Sequence, residues 1–131
     1  MRLLDTNIVS LAMSGDPQIL RRLAGLAPGQ GAISAVTYAE IRYGLERRDG
    51  MERKRELFER LLEHLDVLPW DREAATAYAH ERVACEREGR TLDRSDLMIL
   101  AHAASTGRVL VTRDTALQGR NRKGRTRIVA W

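Results

Sequence analysis

The chain has 131 residues, of which 44% are hydrophobic, and a net charge of +4 from 22 lysines and arginines against 18 acids. This length predicts a single domain, residues 1–131, with a core that folds without disulfides. No apolar run approaches the roughly 20 residues of a membrane-spanning helix, so we expect no membrane association. The lone cysteine, Cys85, excludes an internal disulfide and indicates a reducing, cytoplasmic setting, where we expect it to be a packed thiol.

Short apolar runs alternate with amphipathic segments along the chain. Runs bounded by turn residues predict strands, and segments with helical periodicity predict helices. The predicted strands are 3–4, 32–34, 66–68, 109–112 and 128–130. The predicted helices are 8–13, 17–26, 36–47, 51–65, 71–88 and 95–106, with a short turn at 115–117. This alternation predicts an α/β fold with a parallel sheet of about five strands flanked by helices.

Local signals add detail to these elements. Thr6 or Asn7 is expected to cap the first helix, and Asp71 the helix that ends near Glu88. Gly107 is expected to close the helix before it. Four residues of the helix after Asp71 are expected to face inward, namely Ala75, Tyr78, Ala79 and Val83. Trp70 and Trp131 are expected to anchor the core.

Four acids occupy positions that a solvated surface does not explain. Asp5 and Asp114 follow the carboxyl ends of two predicted strands, where ligands bind in open α/β sheets. By helical spacing, Glu40 and Asp96 fall on the apolar faces of their helices rather than among the arginines. Buried charges without a partner cost several kcal/mol, so such acids need a cation or must remain protonated. We therefore expect all four to meet in one cleft.

An all-oxygen ligand set indicates Mg²⁺ or Mn²⁺ rather than zinc, because the three histidines share no ligand spacing with the acids. One or two such ions activate water for an in-line attack on phosphorus without a covalent enzyme intermediate. Simpler roles remain open for each acid. Asp5 and Asp114 would then be helix caps, and Glu40 a partner of Arg42 or Arg47. Asp93 is expected to cap its helix, with an outer-shell position near the metal as the alternative.

Basic residues crowd two segments and favour a polyanionic partner such as nucleic acid. The segment 42–60 is interleaved with glutamates, so a solvated helix face explains it equally well. No acid interrupts the segment 120–127. We expect it to hold an RNA backbone through Arg120, Arg122, Lys123 and Arg125.

Four motifs together resemble a known family. They are Leu4-Asp5-Thr6-Asn7-Ile8, Val36-Thr37-Tyr38-Ala39-Glu40-Ile41-Arg42-Tyr43-Gly44, Asp96-Leu97-Met98-Ile99-Leu100-Ala101-His102-Ala103 and Leu110-Val111-Thr112-Arg113-Asp114. In this order they are similar to the PIN-domain ribonucleases, and most similar to the VapC toxins of bacterial type II toxin–antitoxin modules. The likeness covers essentially the whole chain.

The resemblance implies a PIN fold and a Mg²⁺- or Mn²⁺-dependent endoribonuclease. The family's metal-binding acids correspond to Asp5, Glu40, Asp96 and Asp114, and its supporting polar residues to Thr6 or Asn7 and Thr112. It also implies a homodimer that a VapB-like antitoxin inhibits. Members differ in cutting transfer RNA, ribosomal RNA or messages.

Two other classes of function remain as alternatives. One is a phosphatase or phosphoacceptor domain on a similar sheet, but Asn7 and Leu68 stand where such domains need aspartates. The other is a module that binds RNA or protein without cutting it.

Overall fold

The computed structural model describes residues 1–119 and 126–131. Its strands are β1 (Arg2–Leu4), β2 (Gly31–Ser34), β3 (Asp66–Leu68), β4 (Val109–Val111) and β5 (Ile128–Val129). Its helices are α1 (Thr6–Met13), α2 (Pro17–Ala24), α3 (Ala35–Glu46), α4 (Glu52–Leu62), α5 (Arg72–Arg87), α6 (Arg94–Thr106) and α7 (Thr115–Gln118). Within these ranges no helix is both long and apolar enough to cross a bilayer.

The strands form one parallel sheet in the order β3-β2-β1-β4-β5. The predicted α/β fold with a parallel five-stranded sheet is therefore confirmed. The central strand β1 pairs with β2 on one side and β4 on the other, with Leu4 opposite both Ile33 and Val111. After β1 the chain continues to β2 on one side of the sheet, and after β4 it continues to β5 on the other, so the strand order reverses between β1 and β4. Such a point opens a crevice at the carboxyl edge of a sheet.

Two apolar clusters form the core, and adjacent residues of β1 belong to different clusters. Leu4 belongs to a cluster with Phe58 and the C-terminal Trp131, which is 8% exposed. Leu3 belongs to a second cluster, with Ile99 of α6. Alternate residues of a strand point to opposite faces, so β1 is covered on both. The prediction that Trp131 anchors the core is confirmed.

Helix α5 exposes a face that the sequence assigned to the interior. Of the four residues expected inward, Tyr78 is half-buried, but Ala75, Ala79 and Val83 are exposed. The buried positions are Ala74 and Cys85, so the packed thiol is confirmed. The prediction was wrong because alanines are apolar on every side of this helix, so they mark its inner face weakly.

A buried polar pair links α3 to α6. His102 Nδ1 lies 2.8 Å from Ser34 Oγ, which also accepts a 3.1 Å hydrogen bond from Val36 N at the start of α3. Burial lowers the pKa of His102, which is 1% exposed, and so favours its neutral form. Helix α6 carries Asp96 and α3 carries Glu40, so this pair fixes the relative position of two candidate acids.

Candidate active site

Asp5 lies immediately after β1 at the central crevice and is 2% exposed. Its Oδ1 accepts a 2.9 Å hydrogen bond from Ile8 N, so Asp5 itself caps α1. The expectation that Thr6 or Asn7 caps this helix was therefore wrong. Burial raises the pKa of Asp5, while hydrogen bonds from the Thr112 hydroxyl and from Ile8 N partly oppose the rise. A carboxylate buried in this way gains from a nearby cation.

Asp114 occupies the equivalent place after β4. Its Oδ1 accepts hydrogen bonds from Ala116 N at 2.8 Å and Leu117 N at 3.4 Å, which makes it the cap of α7. Its own N–H donates to Thr112 Oγ1 at 2.9 Å. Thr112 therefore contacts both strand-end acids. The cap role and a ligand role are compatible, because each carboxylate has two oxygens and these caps engage Oδ1.

Glu40 is held by Thr6 rather than by an arginine. Thr6 Oγ1 donates to Glu40 Oε1 at 2.7 Å and is hydrogen-bonded to Thr37 Oγ1 at 3.1 Å. The alternative in which Arg42 or Arg47 pairs with Glu40 does not occur in the described residues. Arg42 pairs with Glu59 and Arg47 stacks on a tyrosine. Thr6 thus joins α1 to α3 and directs the Glu40 carboxylate towards the first strand's end.

The face of α3 that carries Glu40 is more open than its sequence suggested. The helix buries Thr37, Ile41 and Leu45, whereas Glu40 is half-buried and Tyr43 is 63% exposed. The placement of Glu40 on the buried apolar stripe was therefore wrong. The spacing misled because Tyr43 and Gly44 look apolar in sequence but line an open cleft here.

The surroundings of Asp96 indicate that the four acids lie near one another. It lies in the first turn of α6, half-buried, on the same helix face as the buried Ile99 and Leu100. Burial raises its pKa to about 6, and the charges of Asp114, Asp93, Asp5 and Glu40 add to the rise in that order. Like charges disfavour one another's ionised form over short distances only. Asp5, Glu40 and Asp114 are therefore close enough to Asp96 to act on its charge, and we call the region between these four residues the acidic crevice.

Asp93 differs from the cap predicted for it. It stands at the N-cap position of α6, but its side chain makes no capping hydrogen bond. Its charge instead raises the pKa of Asp96. Asp93 is exposed, so it lies at the outer edge of the acidic crevice rather than inside it.

The donor atoms of the four acids and their threonine neighbours are of the kind that binds a hard divalent cation. In the described ranges, no three acid, histidine or cysteine side chains stand close enough to hold a metal ion. The converging groups are carboxylates and threonine hydroxyls, which are the oxygen donors that Mg²⁺ and Mn²⁺ accept. Burial, and after it the charges of the neighbouring acids, raises the pKa of Asp96, and a cation bound there would favour the ionised form.

Basic residues beside the crevice were recognised only in part from sequence. Arg47, Arg48 and Lys54 line a cleft that reaches Glu40. In the sequence, the segment 42–60 was equally compatible with a solvated helix face and with a binding surface. The fold distinguishes the basic residues that line the cleft with Glu40 from those that do not. The second predicted set lies outside the described residues, namely Arg120, Arg122, Lys123 and Arg125.

Comparison with known proteins identifies the family. The model of the PIN domain matches residues 2–123. The chain belongs to the PIN-domain family. A relative in Shigella flexneri, a "tRNA(fMet)-specific endonuclease VapC", is 36% identical over 113 residues, which cover 86% of each chain. The four acids and Thr6 described above are therefore residues of a PIN domain of the VapC type.

Solved PIN-domain structures share this arrangement of elements. A chain of the DNA-bound VapBC complex from Salmonella typhimurium superposes with a TM-score of 0.89 and 31% identity, covering 99% of this chain and 97% of that one. A chain of VapBC-1 from nontypeable Haemophilus influenzae gives a TM-score of 0.84 and 28% identity, covering 99% and 97%. The PIN fold is thus shared over nearly the full length.

Proposed function

We propose that this PIN domain is a metal-dependent endoribonuclease toxin that hydrolyses RNA phosphodiester bonds and is neutralised by a VapB-like antitoxin. The observation that carries the proposal is the placement of Asp5 and Asp114 directly after the adjacent parallel strands β1 and β4, with Thr112 in contact with both acids. The relatives named VapC ribonuclease support the reaction, and the solved VapBC complexes support the partner.

Asp5, Glu40, Asp96 and Asp114 would hold Mg²⁺ or Mn²⁺. When bound there, the cation supplies positive charge to an in-line displacement at phosphorus and makes water more acidic. The protein's own residues orient this site. Helix caps fix Asp5 and Asp114, and Thr112 contacts both.

The partners follow from the same proposal. An RNA substrate implies action in the cytoplasm, and the Shigella relative makes transfer RNA the first substrate to test. A homodimer is the assembly that we expect, with the antitoxin covering the acidic crevice. Asn7 is exposed beside the buried Asp5, and we assign it a supporting polar role at the mouth of the crevice.

Removing the Thr6 hydroxyl should release Glu40. We expect Thr6→Val to lower kcat for RNA cleavage by about 10- to 100-fold, since groups that orient metal ligands typically contribute that much. Thr6→Ser keeps the hydroxyl that donates to Glu40 Oε1 and should retain most of the activity. Steady-state kinetics of the parental protein, Thr6→Val and Thr6→Ser on the same RNA gives the comparison. Parental activity of Thr6→Val, or a larger loss in Thr6→Ser than in Thr6→Val, would mean that this hydrogen bond does not position Glu40.

Metal binding can be tested without any RNA. In calorimetric titrations with Mn²⁺ near pH 6, we expect binding to displace about half a proton from Asp96, because a group with a pKa of about 6 is half-protonated there. Repeating the titration in buffers of different ionisation enthalpy counts the protons released. Asp96→Asn should bind at least about tenfold more weakly, by the loss of one charged ligand, and should release fewer protons than the parental protein.

The matched control for this titration is Asp66→Asn. Asp66 is exposed at the start of β3, at the opposite edge of the sheet from Asp5, so its loss should leave Mn²⁺ binding unchanged. Absence of Mn²⁺ binding by the folded parental protein would refute the metal site.

A further inference from the structure

A second recess adjoins the acidic crevice. It is a cleft of about 380 Å³, lined by residues of α1, α3 and the start of α4. Glu40 and Thr6 lie on its wall, so a ligand there would sit directly beside the candidate catalytic carboxylates. Its volume falls within the roughly 300–1,000 Å³ typical of sites for small molecules. The cleft is large enough for one nucleotide-sized group.

One edge of this cleft carries an unusually exposed aromatic side chain. Tyr43 is 63% exposed, while Phe58, on the neighbouring helix α4, is fully buried. The Arg47 guanidinium carbon lies 5.7 Å from the centroid of the Tyr43 ring. A ring and a planar guanidinium together offer flat surfaces on which a nucleobase stacks, with little dependence on which base it is.

The positive charges at the cleft are free to meet an anion. Arg47, Arg48 and Lys54 line it, are exposed, and pair with no carboxylate in the ranges the structure describes. Three other arginines of the same helices are neutralised, in the pairs Arg42–Glu59, Arg55–Glu46 and Arg60–Glu56, whereas Arg53 is exposed, has no ion pair within the described ranges and does not line the cleft. Three of the four unpaired cations in the described segment 42–60 therefore line the cleft. Phosphate groups are the natural partners of such a cluster.

Much of the remaining lining of the cleft is apolar. Met13, Ile41, Leu45 and Met51 contribute to its lining. An apolar lining, an exposed aromatic ring and a cationic rim together match the parts of a nucleotide, which has a flat apolar base and an anionic phosphate. A duplex does not offer this combination, because its bases are stacked on one another and unavailable to a side chain.

We propose that this cleft binds one unpaired nucleotide of the substrate, adjacent to the phosphodiester that is cleaved. The base stacks on Tyr43 and Arg47, while Arg48 and Lys54 bind the neighbouring phosphate. This proposal rests on the ribonuclease function and narrows the substrate to single-stranded or loop RNA. Tyr43 is then a positioning residue that determines where the RNA is cut.

The test uses the antitoxin-free protein with Asp5→Asn, a variant that we expect to bind RNA without cutting it. The probe is a single-stranded RNA hexanucleotide that carries the fluorescent base 2-aminopurine at one position, moved along the strand in successive probes. Stacking quenches this fluorophore, so we expect one position to be quenched on binding. Tyr43→Ala should abolish that quenching and weaken binding about tenfold, which is typical for loss of one stacked base, and Tyr43→Trp should preserve it.

One control variant and one kinetic measurement separate stacking from general charge. Arg72→Ala removes an exposed arginine near Ser105, at the far end of α6 from Asp96, and should leave quenching and affinity unchanged. In the active protein, Tyr43→Ala should raise KM for a single-stranded RNA about tenfold, with a smaller change in kcat.

Three results would overturn the proposal while leaving the ribonuclease function intact. They are quenching that survives Tyr43→Ala, failure of the hexanucleotide to bind a protein that cleaves longer RNA, and a Tyr43→Ala effect confined to antitoxin binding. The last would make the cleft a peptide site. Absence of RNA cleavage by the parental protein, in contrast, would reject the ribonuclease function itself.

Discussion

Asp96→Asn should abolish RNA cleavage and, at neutral pH, make the metal-free protein more stable. The asparagine removes a charged ligand, for which we expect a loss of about a thousandfold or more in kcat. It also removes a half-buried charge that four other acids oppose. A rise in pKa from 3.8 to about 6 corresponds to at most about 3 kcal/mol, and exposure of the side chain reduces this to the order of 1 kcal/mol. We expect Tm to rise by about 3–5 °C.

The stability gain should depend on pH in a defined direction. A carboxyl group whose pKa is raised in the folded state contributes most stability below its unfolded pKa of 3.8 and loses it as pH rises through about 6. Asp96→Asn should therefore exceed the parental protein in Tm above pH 6, and the difference should vanish near pH 4. Thermal melts in EDTA across this range test it. Lower stability of the variant at pH 7.5 would contradict the crowding of acids around Asp96.

Two substitutions of Asp5 should separate its two roles. Asparagine is a good N-cap, so Asp5→Asn should keep the hydrogen bond to Ile8 N and the fold, yet abolish cleavage through loss of the ligand charge. Asp5→Ala should abolish cleavage and also lower the free energy of unfolding by about 1–2 kcal/mol relative to Asp5→Asn, since it removes the cap. Urea unfolding and RNA cleavage of both variants give the comparison.

Asp71→Ala provides the matched control for the cap. Asp71 caps α5 through a 3.0 Å hydrogen bond from Ala74 N, and it does not figure among the acids that act on Asp96. Its loss should cost a similar free energy of unfolding while cleavage continues at the parental rate. Active Asp5→Asn protein would show that Asp5 is a cap and nothing more.

The elements that organise the site were predictable because their signals are local. A short apolar run followed by an acid predicts a strand end, and this placed Asp5 and Asp114 at the carboxyl edge of a parallel sheet. The helix pattern placed Asp96 with Ile99 and Leu100 on an inward face, as the structure has it. Strand order was not predicted, since it depends on contacts between distant segments.

The details that sequence did not predict depend on partners far along the chain. Thr6 was expected as a cap or a helper of Asp5, but its hydroxyl reaches Glu40, 34 residues away. The inner face of α5 was misassigned because its alanines suit either environment. Likewise, 42–60 could not be divided into paired and free cations until α3 and α4 were placed beside each other.

The central claim is that a divalent metal held by these four acids cleaves RNA. We would incubate purified, antitoxin-free protein with a panel of transfer RNAs and total RNA, in Mg²⁺, in Mn²⁺ and in EDTA, alongside Asp96→Asn and Asp66→Asn. We expect discrete fragments with either metal from the parental and Asp66→Asn proteins, and none in EDTA or from Asp96→Asn. Cleavage that persists in EDTA or in Asp96→Asn, or folded protein that cuts nothing with any metal, would contradict the claim.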